Sequence, residues 1–139
     1  MICIVDDDSA SRDSLRLLLD CVGLEASGFA SSEAFLEKRE GADPDCLILD
    51  IHMPGMSGLE LLEELRERGD KVPVIVVTGR PSPADTARAL AAGALALLDK
   101  PFKPGEIIAL ARTAVENRHN LSPNPVSTDL PVPGSGRNG

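Results

Sequence analysis

An open parallel α/β domain is the fold class this sequence predicts, and three observations carry the prediction. Five short apolar runs recur, at Ile2 to Val5, Leu24 to Ala30, Cys46 to Leu49, Val72 to Val77 and Ala94 to Leu98. Between them lie segments whose apolar residues repeat at helical spacing, so strand and helix alternate. The central runs are nearly continuous in Val, Ile and Leu, as in strands covered on both faces. The 139 residues suffice for one domain with a real core and not for two.

Each element has its own signal. The first strand leads into a helix from Ser9 to Val22, with Leu15, Leu18, Leu19 and Val22 on one face and Gly23 as its stop. The second strand contains Gly28 and alternates more than the others, which places it at a sheet edge. Ser31 caps a helix from Ser32 to about Arg39. The third strand ends at Asp50, and Pro54, Gly55 and Gly58 then interrupt regular structure. Ser57 and Glu60 make an S-x-x-E capping box that opens a helix with Leu59, Leu62 and Leu65 on one face. In "SPAD", Ser82 caps the fourth helix, Pro83 takes its first position and Asp85 completes the box, while Gly93 ends it. The last helix enters through Pro104 and carries Ile107, Ile108, Ala111 and Val115 to about Arg118. From His119 to Gly139 the chain is rich in Pro, Ser, Asn and Gly, the composition of a disordered tail or the start of an interdomain linker. The expected division is therefore 1–118 and 119–139.

Composition excludes several functions. The net charge is −8 and no stretch gathers Lys and Arg into a stripe, which argues against nucleic-acid binding by this chain itself. Tyr and Trp are absent and Phe occurs three times, so there is no aromatic platform on which bases could stack. Cys3, Cys21 and Cys46 sit in apolar surroundings without C-x-x-C spacing and read as buried thiols of a reducing compartment, the cytoplasm. "MICIVDDD" has no basic leader before a long apolar segment, and no run approaches the length of a membrane span.

In open parallel sheets, ligands bind beyond the carboxyl ends of the strands. Here the first strand ends in Asp6, Asp7 and Asp8, the third in Asp50, the fourth in Thr78 and the fifth in Asp99, Lys100 and Pro101. Two carboxylates about 4 Å apart repel by roughly 4 kcal/mol at an effective dielectric near ~20, so Asp6, Asp7 and Asp50 together imply a counter-ion. Hard oxygen donors with no His or Cys pair at metal spacing select Mg²⁺ or Mn²⁺ over zinc. The positive charge of Lys100 and the hydroxyl of Thr78 suit the oxygens of a transferring phosphoryl group, with Asp50 as the nucleophile. Gly79 leaves room beside Thr78 for a donor or water.

The ordered set "IVDDD", "LILDIHMPGMSGLELL", "PVIVVTG" and "GALALLDKPF" resembles the receiver domain of bacterial two-component response regulators, over Ile2 to about Arg118. The "TGR" and "AGALALLDKPF" segments look most like receivers of FixJ-type transcription regulators. The resemblance implies a doubly wound (βα)5 flavodoxin-like three-layer sandwich with strand order 2-1-3-4-5. It implies that Asp50 accepts a phosphoryl group from a sensor histidine kinase and that the domain signals and does not turn over a substrate. It also assigns Mg²⁺ to Asp6 through water, Asp7 directly, Asp50 and the backbone carbonyl of His52, with Thr78 and Lys100 as phosphoryl-sensing hydroxyl and lysine clamp. Pro101 matches a position with a frequent cis peptide. Asp8 is read as the start of the first helix, not as a ligand. The surface of the fourth helix, fifth strand and fifth helix is the expected interface with an effector domain or partner.

The sequence departs from the pattern at Leu97, where the family usually carries an aromatic switch residue. Two other readings compete. A haloacid-dehalogenase-like phosphatase also combines Asp, Lys, a hydroxyl and Mg²⁺, but it usually places a second acid where this chain has His52. A phosphorylation-independent binding module is opposed by the joint presence of Asp7, Asp50, Thr78 and Lys100.

Overall fold

In the computed structural model, which describes residues 1–41 and 43–120, strands and helices alternate along the chain. The strands are β1 (Ile2–Val5), β2 (Ala26–Phe29), β3 (Cys46–Asp50), β4 (Val74–Thr78) and β5 (Ala96–Asp99). The helices are α1 (Ser9–Cys21), α2 (Ser32–Lys38), α3 (Gly58–Glu67), α4 (Pro83–Ala91) and α5 (Pro104–Asn120), with a 3₁₀ turn at Arg39–Gly41. All strand pairs are parallel, in the order β2-β1-β3-β4-β5, so the expected doubly wound sheet is present and β2 lies at its edge.

Alternate residues of the strands feed two separate cores. Cys3, Val5, Leu47, Leu49, Val74 and Val76 pack with Phe35, the α3 leucines and Ala89 on one face. Ile2, Ile4, Cys46, Ile48, Ile75 and Val77 pack with Leu15, Leu19, Ile107 and Ala111 on the other. β1, β3 and β4 are buried on both sides because helices cover both sides, which is why their sequences show no alternation.

Three apolar runs begin before their strands do, and the backbone explains it. Leu24 N–H donates to Leu19 O at 2.9 Å and Ala94 N–H to Ala89 O at 3.0 Å, so both amides still belong to the ends of the preceding helices. Gly23 and Gly93 adopt φ 81°, the left-handed conformation that turns the chain out of α1 and α4 in this way. Val72 N–H donates to Asp70 Oδ1 at 3.1 Å, and Pro73 has no N–H to give the ladder, so β4 starts at Val74.

The helix starts follow the sequence. Asp8 Oδ1 accepts Ala10 N–H at 3.2 Å as the cap of α1, Ser31 Oγ accepts Ala34 N–H, and both halves of the Ser57–Glu60 box are made. For α4 the structure shows the Ser82 half of its box, with Asp85 N–H donating to Ser82 Oγ at 3.1 Å. Two expectations need correction. Cys3 and Cys46 are buried, but Cys21 is exposed, because it ends α1 on the outward side that also carries exposed Leu17. Burial pushes the Cys46 thiol up to about 12. The last helix runs past Arg118 to Asn120, so the first two residues of the tail expected at 119–139 are helical, and 121–139 lie outside the described residues. Among the described residues no helix is long and apolar enough to cross a membrane.

Candidate functional site

Parallel register brings the strand-end residues together. Val5 pairs with Leu49, which sets Asp6 beside Asp50, and Thr78 at the end of β4 pairs with Asp99 on β5. Asp6 is 5% exposed, Asp50 8% and Thr78 0%, whereas Asp7 is exposed at the mouth of the site. One carboxylate oxygen each from Asp6, Asp7 and Asp50 lie within 4.8 Å of one another. Lys100 Nζ reaches both buried acids, at 3.2 Å from Asp50 Oδ2 and 3.4 Å from Asp6 Oδ2. The Lys100–Pro101 peptide is cis, as the resemblance implies, and Lys100 N–H donates to Thr78 O at 2.7 Å.

Local hydrogen bonds orient the acids. Asp6 Oδ1 accepts Asp8 N–H at 2.9 Å, and Asp50 Oδ1 accepts His52 N–H at 3.3 Å. Thr78 Oγ1 accepts Arg80 N–H at 3.0 Å, joining the hydroxyl to the first turn of the β4–α4 loop. Asp99, the other polar strand-end residue, is exposed and stands outside the acid cluster. The His52 side chain is exposed too.

One ammonium does not balance three clustered acids. Burial raises the Asp6 pKa above the ordinary aspartate value, and the nearby Asp50 adds to this, while the Asp8 N–H and Lys100 oppose it. For Lys100, burial acts downward, but the charges of Asp50 and Asp6 outweigh it and its pKa stands above that of a free lysine. A divalent cation with oxygen preference fits this donor set: hard carboxylates, two of them buried, with excess negative charge.

A stability test follows from the sign of the Asp6 shift. A carboxylate whose pKa is raised by folding costs stability while it is ionised, and the cost disappears as pH falls through the raised pKa towards the ordinary aspartate value. In metal-free protein, Asp6→Asn is therefore expected to raise the unfolding midpoint by a few degrees at pH 7. The gain should shrink to nothing below the ordinary aspartate pKa. A midpoint lowered at pH 7, followed by thermal unfolding in a chelator, would mean that Asp6 is a net stabiliser through Lys100.

Two residues next to the site escaped the sequence reading. Arg12, on α1, donates from its guanidinium to Asp6 O at 2.6 Å. Its stem lies across Gly28 of β2, where a Cβ would fall 2.9 Å from Arg12 Cγ, so the glycine read only as an edge signal makes room for this side chain. Glu33, in the first turn of α2, accepts Met56 N–H at 3.0 Å from the β3–α3 loop. An acid there is also a common helix-start signal, and nothing local distinguishes the two uses.

A doubly wound parallel sheet of this order, with buried acids at the ends of β1 and β3, places the chain among CheY-like α/β domains. The chain belongs to the response regulator receiver domain family, whose model matches residues 2–112. The transcriptional regulatory protein FixJ of Azorhizobium caulinodans is 42% identical over 112 residues, covering 81% of this chain and 53% of that protein. The response regulator protein TodT of Pseudomonas putida is 35% identical over 116 residues, covering 84% of this chain and 51% of TodT. The chain thus spans about half the length of the curated relatives it matches. Among solved structures, the crystal structure of FixJ-N superposes with a TM-score of 0.77 at 36% identity, covering 83% of this chain and 92% of that one. A CheY-like receiver domain protein from Methanospirillum hungatei JF-1 gives 0.80 at 31% identity, covering 87% and 97%. The chain is accordingly a two-component receiver, a signalling domain, and the FixJ likeness expected from its motifs holds.

Proposed function

We propose that Asp50 is the phosphoacceptor of this receiver. The observation that carries the reading is Lys100 Nζ bridging Asp50 and Asp6 at 3.2 and 3.4 Å, beside a fully buried Thr78. An Asp50 carboxylate oxygen forms the new O–P bond as the N–P bond of a kinase phosphohistidine breaks, and the electron pair returns to the imidazole nitrogen. Lys100 holds the nucleophile in place beforehand and then offers its charge to the phosphoryl oxygens. Mg²⁺, held by Asp6, Asp7, Asp50 and the His52 backbone carbonyl, would neutralise the charge of those oxygens. The partners on this reading are a sensor histidine kinase and an effector domain or partner protein. The domain occupies residues 1–118 in the cytoplasm, followed at 119–139 by a tail or the start of an interdomain linker, with only self-phosphorylation and slow self-dephosphorylation as its chemistry. Its test is labelling by a small donor such as acetyl phosphate, read as a gain of one phosphoryl group in intact mass that hydroxylamine removes. Continued turnover of a phosphate ester would instead favour the phosphatase reading.

The metal assignment separates two neighbouring acids. Asp8 already caps α1, whereas Asp7 contributes to the oxygen cluster. Asp7→Ala is expected to weaken Mg²⁺ binding, by calorimetry or metal-induced thermal shift, by tenfold or more on the order found for lost metal-shell groups, and Asp8→Ala much less. Equal losses would undo the assignment.

The signal leaves the site through Thr78. The hydroxyl that would donate to a phosphoryl oxygen also accepts Arg80 N–H, so movement of one pulls on the β4–α4 loop, residues 79–82. Leu97 is half-buried against the core shared with α3 and α4, and lines a groove with Pro83, Thr86, Ala87 and Leu90. An aliphatic side chain there has no hydroxyl to exchange between inside and outside. The loop therefore carries the change, and the α4–β5–α5 surface receives it. Hydrogen exchange with a beryllium fluoride phosphoryl mimic is expected to alter protection from Gly79 to Ala94 in wild type and Leu97→Ala, and not in Thr78→Ala. The opposite pattern in the two variants would place the route through Leu97.

A further inference from the structure

We infer that Glu33 is a positioning residue for the phosphoacceptor site, holding the β3–α3 loop, and with it the His52 carbonyl, in the arrangement that a divalent cation requires. The inference rests on the site reading above and extends it to an element that reading does not use. Glu33 lies on α2, beyond the acid cluster, and its side chain is exposed. Its Oε2 accepts Met56 N–H at 3.0 Å. Among the described residues this is the one hydrogen bond that joins residues 52–56 to a different helix; His52 N–H is spent on Asp50 within the β3 end.

The contact is built on both sides. Gly55 adopts φ 75°, which few side chains tolerate, and a Cβ there would lie 2.8 Å from Glu33 Oε2. The glycine thus permits both the turn and the approach of the carboxylate. The Met56 N–H, followed by the amide of Glu33 itself, holds the Glu33 carboxyl below the usual glutamate range, so the acceptor is charged at neutral pH. Beyond Met56 the chain enters α3 through the Ser57–Glu60 box, and before His52 it leaves β3 at Asp50. The loop is clamped at its two ends by its own elements and in between by Glu33. Groups bonded directly to a metal ligand commonly change metal affinity about 10- to 100-fold when removed, and Glu33, which acts through Met56 at the far end of the loop, is expected at the lower end of that range.

The test compares Glu33→Ala, Glu33→Gln and wild type. Gln keeps an acceptor oxygen for Met56 N–H without the charge; Ala keeps neither. In metal-free protein, amide exchange at Met56 is expected to accelerate in Glu33→Ala and to return most of the way in Glu33→Gln. Mg²⁺ affinity by calorimetry should fall about tenfold in Glu33→Ala and recover largely in Glu33→Gln. Acetyl phosphate labelling of Glu33→Ala should be slow at low Mg²⁺ and match wild type at saturating Mg²⁺. Unchanged Met56 exchange overturns the inference, as does faster exchange with unchanged Mg²⁺ affinity, which would make Glu33 merely structural. Equal defects in the Ala and Gln variants overturn it too, since the hydrogen bond would not be what matters. If wild type neither binds Mg²⁺ nor is labelled, the site reading falls and the inference with it. If wild type does both and Glu33→Ala matches it, only the inference falls.

Discussion

Replacing Asp50 by Asn is expected to abolish acyl-phosphate formation outright. Asn is nearly the same size, and its carboxamide can still accept His52 N–H, the bond made by Asp50 Oδ1 at 3.3 Å. What it lacks is the anionic oxygen that attacks phosphorus. Wild type treated with acetyl phosphate and Mg²⁺ should gain one phosphoryl group, and Asp50→Asn none. Two acids compete for the role on geometry alone, because Asp6 is as buried as Asp50 and shares Lys100 with it. Each also accepts a backbone N–H two residues on, Asp6 from Asp8 at 2.9 Å and Asp50 from His52 at 3.3 Å, so the site of labelling decides between them. Peptide mapping of the labelled wild type should place the group on Asp50. Equal labelling of the two proteins, or label on Asp6, would remove Asp50 from its role. Lys100→Ala keeps the nucleophile and loses the charge, and should slow labelling about a hundredfold, the scale of one lost electrostatic stabiliser.

The second large effect is structural. Gly58 opens α3 directly beneath the end of β3, and its N–H donates to Ile51 O at 3.1 Å. A Cβ at this position would collide with the Asp50 carbonyl oxygen and lie 2.9 Å from the Asp50 carbonyl carbon and 3.2 Å from Ile51 Cα. All three neighbours are backbone, so no side chain can swing aside; either α3 backs away from the sheet or the Asp50 segment moves. Gly58→Ala should therefore cost about 3 kcal/mol, the upper end for overpacking, and lower the unfolding midpoint by roughly 10 °C. Labelling of the folded fraction should slow as well, because the displaced atoms carry the nucleophile. Gly105→Ala is the control: nothing lies within 4 Å of its Cβ position in α5, and Ala there should be neutral or slightly stabilising. A midpoint within a degree of wild type for Gly58→Ala would show that the contact relaxes at no cost.

Much of this molecule was readable along the chain. The apolar runs located all five strands, and the caps at Asp8, Ser31, Ser57 and Ser82 start helices where polar side chains meet free backbone N–H groups. These signals are local, and local chemistry decides them. Strand starts were less legible at Leu24, Val72 and Ala94, because hydropathy reports burial and not where the amide bonds; those amides are held by helix ends or by Asp70. Cys21 misled for a related reason. Apart from Asp20 the residues around it in sequence are apolar, but on a helix only residues three and four apart share a face, and Cys21 shares its face with exposed Leu17.

By itself the sequence determined the succession of strands and helices, the placing of an acid or hydroxyl at the end of each core strand, and the family to which that order belongs. Only the tertiary structure decided which of those groups meet. Parallel register sets Asp6 beside Asp50, and Lys100 then reaches across 94 and 50 positions of chain to both. The same holds for Arg66, whose guanidinium ties the end of α3 to the carbonyls of Ala92, Asp70, Val72 and Gly93, and for Glu33 at the β3–α3 loop. Such contacts leave no periodic trace. A charged side chain reads the same whether it faces water or another segment's backbone, and the choice is made only when the packed elements bring a particular carbonyl or N–H within about 3 Å of it.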